Sequence, residues 1–305
     1  MSIVLITGSS TGIGNLTAKA LAAAGHTVYA TMRDPEGRNA ERAEALRETP
    51  KGKGDLRVVE LDVTSQESAD AAVRTVLDEA GGLDVVVNNA GHLVIGYAEA
   101  FTAEDLEHLF DINVFGVQRV NRAALPHMRE RGRGTLLYVG STIPITTPPF
   151  FGPYVASKAA FDALAVTTSY EVNPFGVETT IVMPGAFTQG TEHFPNASGA
   201  SDQEVAGAYS ALDPLVARGE EATNGLFPPG VDADPVAVAE EIARILALPH
   251  GEKPFRSVVD LTDPGVGIVE IANGVLYQAR RGFVNRMGYG ELLEVGRSAQ
   301  PAPTP

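Results

Sequence analysis

The chain has 305 residues, 44% hydrophobic and 20% charged, with 23 Lys and Arg against 38 Asp and Glu for a formal net charge of −15. That size and apolar content suffice for one large α/β core, and the acidic balance argues against nucleic acid or an anionic membrane surface as a partner. The absence of cysteine excludes disulfides, thiolate metal sites and a cysteine nucleophile, no metal site is expected, and no apolar run of about 18 residues marks a membrane span.

In chain order, Ser2 to Ile6 is a short apolar run that predicts a buried strand near 3–7. It breaks at Thr7-Gly8-Ser9-Ser10-Thr11-Gly12-Ile13-Gly14, and an Ala/Leu-rich stretch predicts a helix over 12–24. Strand, glycine turn and helix start are the context that a dinucleotide pyrophosphate needs. Glycines permit positive φ and close backbone approach, and a helix N-terminus offers free N–H groups and a positive dipole end. The spacing Gly-x-x-x-Gly-x-Gly is not the common Gly-x-Gly-x-x-Gly, and an ordinary strand-to-helix loop is the bland alternative.

A second strand near 27–32 ends in Arg33, with Asp34 next. A guanidinium there offers a forked donor and a positive charge suited to a 2′-phosphate. An acid there would instead serve a ribose, as in NAD-preferring sites, and Asp34 is open either to that role or to pairing with Arg33. Beyond a charged, Gly- and Pro-containing stretch with a short helix near 40–48, strands are predicted near 56–62, 83–88, 134–140, 177–183 and 254–260. Helices are predicted near 66–80, 103–131, 153–172 and 234–248. Val85-Val86-Val87 and Leu136-Leu137-Tyr138-Val139 are continuous apolar runs, as strands covered on both faces require. The alternation predicts a parallel sheet with helices on both faces and no interdomain linker. Residues 190–232 are rich in Gly, Ala, Ser, Pro and acids. Residues 261–305 form an extension with helical, partly apolar segments at 267–272 and 275–277, expected to pack on the same domain, and a Pro-rich frayed tail near 298–305.

The chemistry concentrates in Pro153-Tyr154-Val155-Ala156-Ser157-Lys158, thirteen residues after Ser141. A four-residue step is one helical turn, so the phenol and the ammonium share a face, and Pro153 suits a helix start. A phenol with a pKa of about 10 is a poor base near neutrality, and a fixed positive charge brings it towards working range. A serine hydroxyl completes a device for moving protons to and from a carbonyl or alcohol oxygen. Tyr-x-x-x-Lys alone also occurs by chance on exposed helices.

Together these motifs resemble the short-chain dehydrogenase/reductase family in its compact single-domain form. The resemblance runs motif by motif over about residues 3 to 190 and more weakly to about 260. Its carriers are Thr7-Gly8-x-x-x-Gly12-Ile13-Gly14, Asp62 and Val63 in Leu61-Asp62-Val63-Thr64, Asn88-Asn89-Ala90-Gly91, Asn113, Ser141, Tyr154, Lys158 and Met183-Pro184-Gly185. It implies a Rossmann-type, doubly wound sheet in the order 3-2-1-4-5-6-7 over residues 1–260, with a mobile substrate loop near 186–232.

The family pattern further implies a ketone or aldehyde interconverted with an alcohol by hydride transfer at nicotinamide C4. Tyr154 would act as general acid/base, Ser141 would polarise the substrate oxygen, and Lys158 would hold the nicotinamide ribose. Asn113 would support Lys158 through an ordered water, unless it is a locally bonded helix asparagine. The cofactor would contact Gly8, Ser10, Thr11, Gly12, Ile13, Gly14, Arg33, Asp62, Val63, Asn89, Ala90, Gly91, Tyr154, Lys158, Pro184, Gly185, Phe187 and Thr188. NADP (NADPH) is preferred on the strength of Arg33, with NAD possible; Ser10 and Thr11 supply only hydroxyls where many NADP-preferring relatives carry a basic residue.

Ser141, Tyr154, Ile143, Phe150 and Phe187 are expected at a largely apolar small-molecule substrate, with His92 either a substrate contact or a plain loop histidine. Gln189 stands where many relatives place a hydroxyl residue near the carboxamide. A homodimer or homotetramer through the helices near 103–131 and 153–172 is expected, in the cytoplasm, since Met1 to Ile6 lacks the charged start of a secretion signal. Two rival readings are a catalytically silent NADP-binding sensor on the same fold and an epimerase or dehydratase. The glycine spacing and the lack of a second substrate domain speak against the latter.

Overall fold

A computed structural model describes residues 1–49, 52–262 and 265–296. Seven strands, β1 (Ile3–Ile6), β2 (Thr27–Met32), β3 (Asp55–Glu60), β4 (Val85–Asn88), β5 (Gly134–Val139), β6 (Val177–Pro184) and β7 (Arg256–Val259), form one parallel sheet in the order β3-β2-β1-β4-β5-β6-β7. The long helices are α1 (Gly12–Ala23), α2 (Ala40–Arg47), α3 (Gln66–Ala80), α4 (Ala103–Phe110), α5 (Gly116–Arg131), α7 (Gly152–Val172), α11 (Val236–Leu246) and α12 (Gly265–Arg286). Short helices α6 (Ile143–Thr146), α8 (Gln203–Ala208), α9 (Asp213–Ala217) and α10 (Gly219–Asn224) occupy the connections. The predicted doubly wound architecture and strand order are those observed.

The sheet separates two cores. Val86, Leu136, Tyr138, Ile181 and Met183 point to one face with residues of α3, α5 and α7, while Val4, Ile6, Val28, Leu137 and Val182 point to the other with residues of α1, α2 and α11. Both faces of β4, β5 and β6 are thus buried, which is why their sequences run apolar without alternation. Burial at roughly 25 cal/mol per Å² of apolar surface makes this two-sided packing the main stabilising term.

Two departures from regularity set up the site. The helical run predicted over 103–131 contains a π-helical turn at Asp111–Phe115, between α4 and α5. Such a turn re-aims side chains and is common at functional sites. Between Ser141 and Tyr154 the chain holds Thr147 at φ 42° and Phe150 at φ 69°, a left-handed backbone that only surrounding contacts sustain.

The extension beyond β7 is helical over Gly265–Arg286, packing through Val269 and Asn273 and leaving Ile268, Ile271, Val275 and Phe283 exposed. The predicted tail near 298–305 lies outside the described residues.

Candidate active site

Because the strands are parallel, β1, β4, β5 and β6 all end at one edge, and each is followed by one of the motifs read from the sequence. Strand order reverses between β1 and β4, and open α/β sheets bind ligands in the crevice at such a switch point. The glycine turn after β1 lines one wall. Gly8 and Gly12 have φ of 70° and 57°. A Cβ on Gly14 would stand 2.3 Å from the Gly8 carbonyl oxygen and 2.4 Å from Asn89 Nδ2, so only glycine fits. Thr11 caps α1 without a side-chain hydrogen bond, and no acid lies in the first turn. The leading N–H groups and the dipole end of α1 are therefore available to an anion.

The β4 motif braces this turn. Asn89 Nδ2 donates to the carbonyls of Thr7 (2.9 Å) and Gly8 (3.0 Å), while the backbone N–H groups of Asn89 and Ala90 donate to Thr7 Oγ1 at 2.9 and 3.0 Å. Thr7 was not singled out as a ligand in the sequence, yet its hydroxyl ties the two loops together. Ile13 packs onto the core below, and Val63 is buried beneath Gly116. Asp62 accepts from Thr64 N at 2.9 Å and Thr64 Oγ1 at 2.8 Å. Burial alone would raise its pKa, but the Thr64 bonds and the charges of Arg33 and Arg38 bring it below the ordinary value.

At the end of β2, Arg33 is exposed, and its guanidinium makes no hydrogen bond or ion pair among the described residues. Asp34 does not pair with it. With φ 48°, Asp34 turns back and accepts from Arg38 N at 2.9 Å, capping its own loop. Asn39 bridges the Arg33 carbonyl (2.6 Å) to Arg42 (3.3 Å), and Arg42 in turn pairs with Glu192 at 2.8 Å.

Tyr154 and Lys158 sit in the first two turns of α7, both buried. Lys158 Nζ donates to the Val139 carbonyl at 3.3 Å and lies 5.9 Å from the Tyr154 ring centroid. Burial brings Lys158 down to about 8 and pushes Tyr154 up. The cause at Tyr154 is burial, which acts against the lowering expected from the lysine. Asn113, aimed by the π-helical turn, accepts from His92 N at 2.7 Å and donates to the His92 carbonyl at 2.9 Å and to Ser157 Oγ at 3.0 Å. It is a cross-link between loop and helix and not a locally bonded asparagine. A Cβ on Gly91 would fall 3.5 Å from Asn113 Oδ1 and 3.8 Å from Lys158 Nζ, so glycine keeps the space between them open. Ser141 Oγ accepts from Ile143 N at 3.1 Å.

The expected substrate contacts divide. Ile143 packs on the cluster of Leu93, Val94, Phe101 and Tyr154. Phe150 lies edge-on to Tyr97 at 5.9 Å. Phe187 packs with Ile6, Val139 and Val238 in the α1/α11 core, away from that cluster. His92 is tied by Nε2 to Ser198 Oγ at 2.7 Å. The imidazole at the Tyr154 phenol is another one, His193, whose Nε2 is 3.1 Å from Tyr154 Oη. Nothing in the local sequence marked it, because it reaches the site from a loop about forty residues downstream. On the cofactor side, a Cβ on Gly185 would collide with the Asp260 carboxyl at 2.3 Å. Pro184 accepts from Thr142 N at 3.0 Å, and the Thr188 hydroxyl is bonded to Asn224. Among the described residues no group of three His, Cys, Asp or Glu could hold a metal, and no helix is long and apolar enough to cross a membrane.

The short chain dehydrogenase family model matches residues 2–199. The chain belongs to that family. It is similar to 3-ketodihydrosphingosine reductase of Bacteroides thetaiotaomicron, 33% identical over 84% of this chain and 87% of that protein. It also resembles human 17-beta-hydroxysteroid dehydrogenase type 1, 38% identical over 60% of this chain and 56% of that protein. Among solved structures, an alcohol dehydrogenase from Thermococcus sibiricus complexed with 5-hydroxy-NADP superposes with a TM-score of 0.66 at 26% identity, covering 85% of this chain and 96% of that one. The family member described here is accordingly an oxidoreductase acting on alcohol or ketone groups of small molecules with a nicotinamide cofactor.

Proposed function

We propose that this chain is an NADP(H)-dependent enzyme interconverting a largely apolar ketone and its alcohol, with Tyr154 as proton donor and acceptor. The observation that carries the reading is the pair Tyr154 and Lys158, buried one helical turn apart beside the crevice lined by the glycine turn. The cradle left by Gly8 and Gly14, the uncapped start of α1 and the unpaired Arg33 fit the pyrophosphate and 2′-phosphate of NADP.

A nicotinamide held in this crevice would supply the hydride. Tyr154 gives its proton to the oxygen that becomes the alcohol, and Ser141 orients that oxygen by hydrogen bonding. Lys158 binds the nicotinamide ribose and keeps a positive charge near the phenol, while Asn113 fixes the Gly91–His92 backbone that leaves it room. Leu93, Phe101, Ile143, Phe151 and Phe194 exclude water around the phenol, which suits an apolar substrate such as those named for the keto-lipid and steroid relatives. The presence and burial of both Tyr154 and Lys158 favour catalysis over a silent sensor.

The test is a screen of long-chain and steroidal ketones and alcohols, read by absorbance of the reduced cofactor. Turnover with NADPH on an apolar ketone is expected. Tight NADPH binding without turnover on any of them would replace this reading by the sensor.

A further inference from the structure

We infer that the far end of α7 carries a second small-molecule site, separate from the crevice, which takes an organic carboxylate on an aromatic body. The site stands independently of the reaction proposed above.

A cavity of about 360 Å³ opens between the last turn of α7, the start of β6, β7 and α12. That volume falls in the range of small-molecule sites. Ser169 belongs to its α7 wall, fifteen residues beyond Tyr154, or about 22 Å at 1.5 Å per helical residue. The cavity thus lies at the opposite edge of the sheet from the glycine turn. Asn173 ties the following chain to that wall, donating to the Leu292 carbonyl at 3.0 Å and accepting from Gly296 N at 3.2 Å.

Although the chain bears a net charge of −15, Lys253, Arg256, Arg280 and Arg281 all line this cavity. Against these four cations stand three acids, Glu178, Asp162 and the exposed Glu294. Two of the cations are already spent. Lys253 Nζ donates to the buried Glu178 at 2.6 Å and to the Leu248 carbonyl at 3.2 Å, and Arg256 forks onto Asp162 at 2.6 and 2.8 Å. The other two keep donors for a ligand. Arg280 comes only to 3.9 Å from Asp162, and Arg281 meets no carboxylate among the described residues. Arg281 gives one N–H to Tyr277 Oη at 3.2 Å, out of the five that a guanidinium carries. Thr179, which also lines the cavity, is 5% exposed, and its hydroxyl has no hydrogen-bond partner among the described residues. A buried hydroxyl in that state calls for one.

The walls select the body of the ligand. Tyr170, Phe255 and Tyr277 line the same cavity, the last two with ring centroids 6.0 Å apart. Aromatic walls take a flat ring, and neighbouring guanidinium forks take a carboxylate. A bare phosphate would satisfy the arginines and leave the aromatic surface wet.

The experiment is a calorimetric titration of the full chain with 2-naphthoate, the neutral 2-naphthamide and inorganic phosphate, with and without NADPH. Wild type, Arg281→Leu and Arg281→Lys are compared, and an unchanged NADPH dissociation constant confirms the fold of each variant. The wild type is expected to bind 2-naphthoate with a dissociation constant of about 1 mM or tighter, at least about tenfold tighter than the amide or phosphate. NADPH should leave that value unchanged. Arg281→Leu should abolish the preference for the carboxylate over the amide, and Arg281→Lys, which keeps the charge without the fork, should retain part of it. Naphthoate that competes with NADPH, binds Arg281→Leu as tightly as the wild type, or binds no better than its amide overturns the site. Phosphate that binds as tightly as naphthoate overturns the assignment of the ligand class.

Discussion

Replacing Lys158 by methionine should make the ligand-free protein more stable while impairing its cofactor site. Lys158 is 7% exposed, and burial brings its pKa from 10.5 to about 8. At pH 7 both folded and unfolded states carry the proton, so the folded state bears the full cost of holding a buried ammonium. A drop of two to three pKa units corresponds to about 3 kcal/mol at 1.36 kcal/mol per unit. Methionine has a similar length and no charge, and it forfeits only the 3.3 Å bond to the Val139 carbonyl, worth about 1 kcal/mol. The net expectation is a gain of about 2 kcal/mol at pH 7.

The sign of the pH dependence follows. Because the folded pKa lies below the unfolded one, the unfolded chain holds more protons between about pH 8 and 10.5, and wild-type stability rises with pH through that window. Tyr138 and Tyr154 titrate near its upper end in the unfolded chain, while burial pushes both up in the folded one, so the informative quantity is the difference between variant and wild type, which should shrink as the pH rises. Urea unfolding at pH 7 and pH 9.5, with NADPH affinity measured in parallel, reads both effects. A variant no more stable than the wild type at pH 7, or a difference independent of pH, would refute the reasoning. So would an unchanged NADPH dissociation constant for the ribose-binding role.

Tyr154→Phe removes only the hydroxyl and should lower turnover by about 10² or more with cofactor affinity retained; a tenth of wild-type turnover in the mutant sinks the assignment. Arg33→Ala should weaken NADPH binding about ten- to a hundredfold and leave NADH nearly unchanged, and added salt should erode the preference; titrating both cofactors checks it, and a wild type that prefers NADH contradicts it. Gly14→Ala drives a methyl against the Gly8 carbonyl and Asn89, so NADPH affinity should fall at least tenfold; calorimetric titration decides. A homodimer or homotetramer is expected through α5 and α7, whose outward residues include Ala156, Ala159 and Ala163; light scattering that finds a monomer at micromolar concentration rules it out.

The order of the sheet came from the family resemblance, whereas its two-sided burial and the residues around the crevice were legible in the sequence itself. Two-sided burial writes itself into β4 and β5 as unbroken apolar runs, and the glycine turn must be glycine because a side chain at Gly14 would strike the Gly8 carbonyl of the same turn and the Asn89 side chain after β4. Tyr154 and Lys158 were readable because their relation is local, one turn of one helix. The π-helical turn that aims Asn113 was not, since the sequence over 103–131 carries an ordinary helical pattern and the bulge answers to contacts with His92 and Ser157.

Where tertiary context decides, the sequence alone left choices open. Arg33 and Asp34 are neighbours whose pairing looked natural, yet a left-handed Asp34 spends its carboxylate on its own turn and leaves the guanidinium exposed. The sequence singled out His92 as a candidate substrate contact and left His193 unmarked, and it is the pairing of the 198 segment with the 93–95 segment that ties His92 to Ser198 and leaves His193 at the phenol. Even the titration of Tyr154 and Lys158 depends on burial that no spacing records. The sequence determined what is local or periodic: the strand and helix order, the glycine cradle and the Tyr-Lys turn. Only the folded chain decided which distant side chains meet at the phenol, because that depends on how loops far apart in sequence are held against one rigid sheet edge.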